Sequence, residues 1–238
     1  MASSHPAAAA LADDARRIFG TRLQTLAVYG PHARGRATGP LTCLCLVTSL
    51  SGEDLDACAR EVTRWHGLGI ATPLIVPVAE FQRSLDAFPL EYGEIIAHHD
   101  VVAGTDLLSG VRVVPADLRR ACETQVKSHL LHLREQYLEA HGQPAAVTAL
   151  LHQAAPAFAT LLAHVARLQG ATDSDGDDAV LAGARLAGLD ESTTSAVLAL
   201  ADSGTAGSAL TSPDGARLFR DYLHAVEQLA AVVDGWRH

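Results

Sequence analysis

The sequence predicts an α+β fold: a mixed sheet with flanking helices, followed by an all-helical bundle. Two patterns indicate this fold class. Up to about residue 115, short apolar runs bounded by Gly and Pro alternate with helical patterns, as in strands packed against helices. After Pro115 the apolar residues recur only at helical spacing, through long segments. We therefore expect an α/β domain over residues 10–115 and a helical domain over residues 116–238.

The elements of the first half follow from apolar periodicity and turn residues. Residues 1–9 are rich in alanine and predict a loose tail. Ser51, followed three residues later by Asp54, indicates the capped start of a helix. The expected helices span 12–24, 52–67 and 91–97, and the expected strands span 23–30, 41–50, 72–81 and 110–115.

The second half contains only helical patterns and loops. The segment 173–178, DSDGDD, predicts an acidic turn, since it lacks the Glu that completes a calcium-binding loop. A Gly/Ser/Thr-rich loop is expected at 203–213. The expected helices are a long one at 116–141, a second long one at 144–170 that contains Pro156, two shorter ones, and a last one at about 213–236.

The bulk composition argues against several classes of protein. A formal net charge of −9 at pH 7 disfavours non-specific binding to nucleic-acid phosphates, so no nucleic-acid partner is expected. The N-terminus lacks the basic region of a secretory signal, and the apolar runs are shorter than the ~20 residues that span a bilayer. The four cysteines form no zinc-binding pattern. These features predict a cytoplasmic protein with reduced thiols and no membrane segment.

The stretch YGPHARG, residues 29–35, connects the first two predicted strands. Glycines let a backbone approach a phosphate closely, and arginine pairs with phosphate through two N–H groups. A helix, a strand ending in Tyr-Gly, an Ala-Arg-Gly turn and a second strand together resemble the start of the nucleotidyltransferase fold. This is the superfamily of DNA polymerase β and kanamycin nucleotidyltransferase. Residues 86–108 and 133–139 are also similar to bacterial nucleotidyltransferase-like proteins.

The resemblance implies a metal-dependent site that this sequence has lost. In the family, a Gly-Ser and an Arg-Gly precede an Asp-x-Asp pair, whose carboxylates share Mg²⁺ ions at the start of the second strand. Here Pro31 replaces the Ser, and Thr42 and Leu44 occupy the positions of the two acids. Residues 29–52 contain no Asp or Glu, so a shift in register does not restore the pair. The resemblance therefore implies a catalytically inactive protein that needs no cofactor.

The loop residues that match the family motif are a remnant of a phosphate- or nucleotide-binding loop. They are Gly30, Arg34 and Gly35, with Pro31 in the place of the Ser. We therefore expect a binding or regulatory module, with a nucleotide or another protein as its partner. A homodimer is compatible with this interpretation.

One alternative is an active nucleotidyltransferase that holds Mg²⁺ with atypical ligands. The nearest strand acid downstream is Glu80, close to the end of the third predicted strand. His98, His99 and Asp100 form a cluster of ionisable residues further along. Such side chains could supply a base or a metal ligand. His98 and His99 could equally mark the end of the preceding predicted helix, where the helix dipole favours a cation.

A second alternative is a HEPN-like component of a toxin–antitoxin pair. Arg134 and His141 lie on the first long helix of the second half, with six residues between them. Their spacing resembles the Arg…His motif of HEPN domains, which are helical proteins that often partner nucleotidyltransferase-like chains. His141 also immediately precedes Gly142, so it could simply belong to the end of the helix.

Overall fold

The structure is a computed structural model, and it describes four stretches of the chain: residues 6–35, 39–171, 177–203 and 212–236. The chain divides into two compact units, with the boundary between Val114 and Pro115. The first unit contains a sheet and its flanking helices, and every described regular element of the second unit is a helix. The predicted fold class is thereby confirmed.

The first unit is built on a four-stranded mixed sheet. In chain order its elements are α1 (Pro6–Phe19), β1 (Leu23–Tyr29), β2 (Thr42–Val47), α2 (Gly52–Gly67), β3 (Leu74–Pro77), α3 (Val78–Arg83), α4 (Pro89–Ala97) and β4 (His99–Gly104). The strand order is β3-β2-β1-β4. β1 pairs antiparallel with β2 and β4, whereas β2 and β3 run parallel. The two strands predicted around the YGPHARG loop therefore lie at the centre of the sheet.

The start of α2 is fixed by a complete capping box, as the sequence predicted. The Ser51 hydroxyl accepts a hydrogen bond from the backbone N–H of Asp54 at 3.2 Å, and the Asp54 carboxylate accepts one from the Ser51 N–H at 2.9 Å. Two N–H groups that the helix itself cannot satisfy thus find partners. Arg22, the residue directly before β1, donates to both carboxylate oxygens of Asp54, at 2.6 and 2.7 Å. This pair connects the start of α2 to the start of β1.

The two faces of the sheet enter different hydrophobic cores because successive side chains on a strand point to opposite sides. The α1/α2 face carries Leu26, Val28, Cys43, Cys45 and Val47, which pack with residues of α1 and α2. The α3/α4 face carries Ala27, Leu44, Leu46 and Val76, which pack with Phe81 of α3 and with Tyr92 and Ile95 of α4. All four cysteines of the chain are buried and form no disulfide.

The first helix begins earlier than the sequence predicted. Residues 6–9 belong to α1, whereas they were expected to form part of a loose tail. Ala8 is fully buried and Ala7 nearly so, in the core of the α1/α2 face. The alanines are therefore small residues that allow close packing against the sheet, and alanine has the highest helix propensity.

The fourth strand lies in a different place from the one predicted. It is His99–Gly104, while residues 110–115, which were expected to form it, contain no strand and end at the first residue of a helix. The alternating valines of GVRVVP suggested a strand, but they have no neighbouring strand to pair with. The third strand is shorter than the predicted 72–81, since the chain turns into α3 after Pro77.

β4 joins β1 through an irregular register. The register shifts between Leu26 and Ala27, so that Leu26 pairs with Ala103 but Ala27 pairs with Val101. Gly104 ends the strand at a φ of +81°, opposite Thr25. A Cβ atom at this position would lie 2.0 Å from the carbonyl oxygen of Gln24. Only glycine fits this contact without a shift of the backbone.

The second unit is helical in all of its described residues. Its helices are α5 (Pro115–Glu139), α6 (Pro144–Leu168), α7 (Asp177–Leu186), α8 (Glu191–Ser203) and α9 (Ser212–Gly235). α9 buries the predicted apolar stripe, with Tyr222, Val226, Leu229 and Val233 fully enclosed. Most of the predicted acidic turn at 173–178 and of the predicted loop at 203–213 lies outside the described residues.

Among the described residues, one helix is long and apolar enough to cross a membrane by length and composition, and that helix is α6. The sequence predicted no membrane segment. Eleven residues of α6 are buried, and the helix packs against α5, α7, α8 and α9. These contacts make α6 the central helix of the second unit. A helix that is enclosed by its neighbours is apolar on most of its surface, so its composition resembles that of a membrane span.

Candidate functional site

The loop after β1 has the tight shape that its glycines predict. Gly30 adopts a φ of +72°, and a Cβ atom there would lie 3.3 Å from the hydroxyl oxygen of Thr42. The N–H of Arg34 donates to the carbonyl oxygens of Gly30 and Pro31, and the N–H of Gly35 donates to that of His32. These two N–H groups close the turn, and Pro31 has none to offer. The binding of a phosphate at this loop would therefore depend strongly on the charge of the side chains.

Thr42 and Leu44 both lie on the α3/α4 face of β2. Thr42 pairs with Tyr29 across the strands, and its hydroxyl donates a hydrogen bond of 2.7 Å to the Tyr29 carbonyl oxygen. Leu44 pairs with Ala27 and is completely buried in the apolar cluster of that face. Neither side chain fits Mg²⁺, because this ion takes carboxylate and water oxygens in octahedral geometry.

The neighbouring strand does not supply the missing acids. β3 consists of Leu74, Ile75, Val76 and Pro77, and Leu74 is the residue in register with Leu44. Within the described parts of the chain, no group of three or more His, Cys, Asp and Glu side chains is placed to hold a metal ion. The residues present thus do not fit the metal ions that the resemblance of the sequence implies.

The candidate ligands downstream are separated by the structure. Glu80 is exposed on α3, whereas the sequence placed it on the third strand. His98 follows the last residue of α4, as expected for a helix end, while His99 and Asp100 begin β4. His99 pairs with Tyr29 and shares its face of the sheet, but Asp100 pairs with Val28 and shares the opposite face. His99 and Asp100 therefore do not converge on one site.

Arg34 pairs with a carboxylate that no sequence motif indicated. Its guanidinium forms an ion pair with Glu94 of α4. The Arg34 side chain is 14 % exposed and that of Glu94 is 29 % exposed, so the pair is partly shielded from water. The loop after β1 is thereby connected to the helix that covers the α3/α4 face.

His99 forms a second pair on the same side of the sheet. Its Nδ1 lies 3.0 Å from the carbonyl oxygen of Ile96, and its Nε2 lies 3.2 Å from the carboxylate of Asp106. Both ring nitrogens of His99 therefore face hydrogen-bond acceptors of the chain. Burial opposes ionisation of Asp106, but hydrogen bonds from the Ser109 N–H, from His99 and from the Leu108 N–H outweigh it and lower its pKa.

Arg134 and His141 have separate partners in the helical unit. Arg134 donates a hydrogen bond of 2.7 Å to Glu227 of α9, which ties α5 to α9. His141 lies beyond the end of α5 at a φ of +49°, and its Nδ1 is 2.5 Å from the carbonyl oxygen of Glu139. These contacts are typical of an interhelical ion pair and a helix C-terminus.

Comparisons with known proteins support the fold of the chain. No profile of a known protein family matches the chain, and no curated protein matches its sequence. Among solved structures, the chain is similar to the crystal structure of a spectinomycin adenyltransferase from Enterococcus faecialis with ATP and spectinomycin. The TM-score is 0.52 at 10 % sequence identity, over 91 % of this chain and 96 % of that one. The chain therefore has a nucleotidyltransferase-like α+β fold, as its sequence predicted.

Proposed function

We propose that this chain is a catalytically inactive protein of the nucleotidyltransferase fold that serves as a binding or regulatory module for a phosphate-bearing ligand, with a nucleotide as the first candidate. The observation that carries the proposal is the presence of Thr42 and Leu44 where the fold family has its metal-binding acids. Leu44 is fully buried and Thr42 uses its hydroxyl to bind a backbone carbonyl. Neither can share in a metal clamp on attacking and leaving oxygens.

A phosphate-bearing ligand is favoured by what the loop retains. Gly30 brings the backbone close to β2, and Arg34 offers a planar guanidinium that pairs with two phosphate oxygens at once. The structurally similar spectinomycin adenyltransferase was solved with ATP, which makes ATP a reasonable first probe. Binding without turnover is the role that an arginine loop without metal ligands best supports.

The proposal is tested by thermal unfolding in the presence of ATP, GTP, CTP or UTP, each with Mg²⁺ and with EDTA. We expect at least one nucleotide to raise the melting temperature in EDTA, because a ligand that binds only the folded state stabilises it by mass action. Release of pyrophosphate should stay at the level of a buffer blank. Arg34→Gln should reduce the shift, while Arg16→Gln, which removes an exposed pair with Asp13, should leave it unchanged.

Two results would contradict the proposal in different ways. A shift that requires Mg²⁺, together with pyrophosphate release, would favour an active enzyme with atypical ligands. If no nucleotide and no inorganic polyphosphate shifted the melting temperature, the ligand part of the proposal would be wrong, and a role in binding another protein would remain.

A further inference from the structure

We propose that Glu94 is a built-in competitor for the phosphate group at Arg34, so that ligand binding at the loop after β1 requires the Arg34–Glu94 pair to open. This inference rests on the proposed function, since it concerns how the same arginine is regulated. Its chemistry is simple: carboxylate and phosphate both pair with a guanidinium through its N–H fork, and one fork cannot serve both fully.

Glu94 is well placed to compete because its helix is fixed. α4 carries Tyr92 and Ile95, which are both buried in the core of the α3/α4 face. The carboxylate of Glu94 is therefore presented from a packed helix, and it contacts an arginine that lies 60 residues earlier in the sequence. A carboxylate presented in this way loses little conformational entropy when it pairs, which strengthens it against a free ligand.

The surroundings of Arg34 add to this effect. The side chain is only 14 % exposed while it is paired, which leaves little guanidinium surface for a second anion. The loop N–H groups of Arg34 and Gly35 are already bound to loop carbonyls. On the same side of the sheet, the two ring nitrogens of His99 already lie within hydrogen-bond distance of Ile96 and Asp106, so this side chain is engaged within the chain as well. A phosphate that approaches Arg34 therefore meets side chains and loop N–H groups that already have partners within the chain.

The test compares ATP and tripolyphosphate binding by calorimetry, in EDTA, for the native chain and for Glu94→Gln. We expect the variant to bind about tenfold more tightly, because it keeps the side-chain volume and removes the competing charge. Glu61→Gln is the matched control: Glu61 of α2 pairs with Arg17 of α1 and with Arg64 of α2, and its replacement changes the net charge equally. This control should bind as the native chain does. Adding Arg34→Gln to Glu94→Gln should remove the gain.

Each other outcome overturns the inference. Equal affinity of the native chain and Glu94→Gln would refute the competition and leave the proposed function standing. A gain that also appears in Glu61→Gln, or that survives Arg34→Gln, would be a general effect of charge. Binding by neither the native chain nor Glu94→Gln would overturn both proposals.

A measurement on the native chain covers the case in which Glu94→Gln fails to fold. If ATP opens the pair, hydrogen exchange in α4, residues 89–97, should become faster when ATP binds, because the helix loses its connection to the loop. Unchanged or slower exchange in this segment on binding would overturn the inference.

Discussion

The two units of the molecule enclose different kinds of ionisable groups. The α/β unit buries the acids Asp14 and Asp54, and each is bound by arginine. The helical unit instead encloses bases in part, among them His129, His164 and Arg167. The difference bears on the proposed function, because carboxylates are the side chains that hold Mg²⁺ in proteins.

The acids of the α/β unit serve the packing of helices. Asp14 of α1 accepts a hydrogen bond of 2.9 Å from the buried indole N–H of Trp65 and pairs with Arg17 and Arg64, so it joins α1 to α2. Asp54 caps α2 and binds Arg22. Both lie on helices outside the site. The unit thus keeps these carboxylates where they stabilise the fold, while Thr42 and Leu44 occupy the α3/α4 face of β2.

The two histidines of this set are hydrogen-bonded, and burial disfavours their charged forms. His164 lies 3.2 Å from the side-chain oxygen of Gln125, and burial, with Arg167 nearby, lowers its pKa to about 4. His129 contacts the hydroxyl of Tyr222 at 2.6 Å, and burial lowers its pKa too. Protonation of these groups therefore works against the folded helical unit.

The largest loss of stability is expected when an acid is placed on the α3/α4 face of β2 without a cation beside it. Leu44→Asp should destabilise the α/β unit by about 4 kcal/mol, because it removes buried apolar contacts and encloses an unpaired carboxylate. Urea unfolding measures the change, with Thr42→Asp, at a partly exposed position, as the milder comparison. A nearly neutral Leu44→Asp, or a Thr42→Asp/Leu44→Asp chain stabilised by Mg²⁺, would show that this face can still accept a metal ion.

Mild acid should lower the stability of the helical unit through its partly buried histidines. The folded-state pKa of His164 lies below its unfolded value of about 6.5, so the unfolded chain takes up the proton first. The contribution of His164 to the free energy of unfolding is therefore fully present above pH 6.5, and it falls by about 3 kcal/mol as the pH approaches 4. Calorimetric unfolding at pH 7 and pH 5 should show a smaller loss for His164→Gln than for the native chain. His132→Gln, at a side chain that is 66 % exposed, should behave like the native chain.

Removal of the shared acid between α1 and α2 should have the next largest effect. Asp14→Ala should destabilise the α/β unit by about 2 kcal/mol, mainly because the buried Trp65 N–H loses its acceptor. The arginines are about half exposed, so their loss of a partner adds less. Asp13→Ala, which removes an exposed pair with Arg16, should change stability by less than about 0.5 kcal/mol in the same urea titration. Similar values for both variants would contradict the structural role of Asp14.

The smallest loss of stability should come from replacing Asp54, the second buried acid of the α/β unit. This loss should depend on pH. Arg22 and the Ser51 N–H hold the pKa of Asp54 well below its usual range, so its contribution is present above pH 4 and is lost as the pH falls further. Asp54→Asn should therefore lower the melting temperature at pH 7 and have a smaller effect at pH 3. An equal effect at both pH values would mean that the cap acts without its charge.

The parts of the structure that depend on local sequence could be predicted. Ser51 and Asp54 indicated the start of α2 because a capping box involves only four consecutive residues. The apolar stripe of α9 and the two long helices were equally clear. β4 was missed because its residues have little strand character of their own, and its position depends on pairing with β1, far away in the sequence.

The candidate site shows the same division. The identities at positions 31, 42 and 44 could be read directly against the family motif, since they follow one another closely along the chain. The partner of Arg34 could not be identified, because Glu94 lies on a helix without a motif and meets the arginine only through the tertiary fold. Asp106 was missed for the same reason.

Gly104 offers a way to recognise relatives of this chain when overall similarity has faded. At 10 % identity, an alignment gives few fixed points, yet the carbonyl of Gln24 leaves no room for a side chain at the end of β4. Any chain that keeps this irregular join between the first and last strands must keep glycine there or rebuild the backbone. A search that requires glycine at this place, and again directly after the first strand, would rely on steric exclusion instead of resemblance, and could group distant sequences by the shape they share.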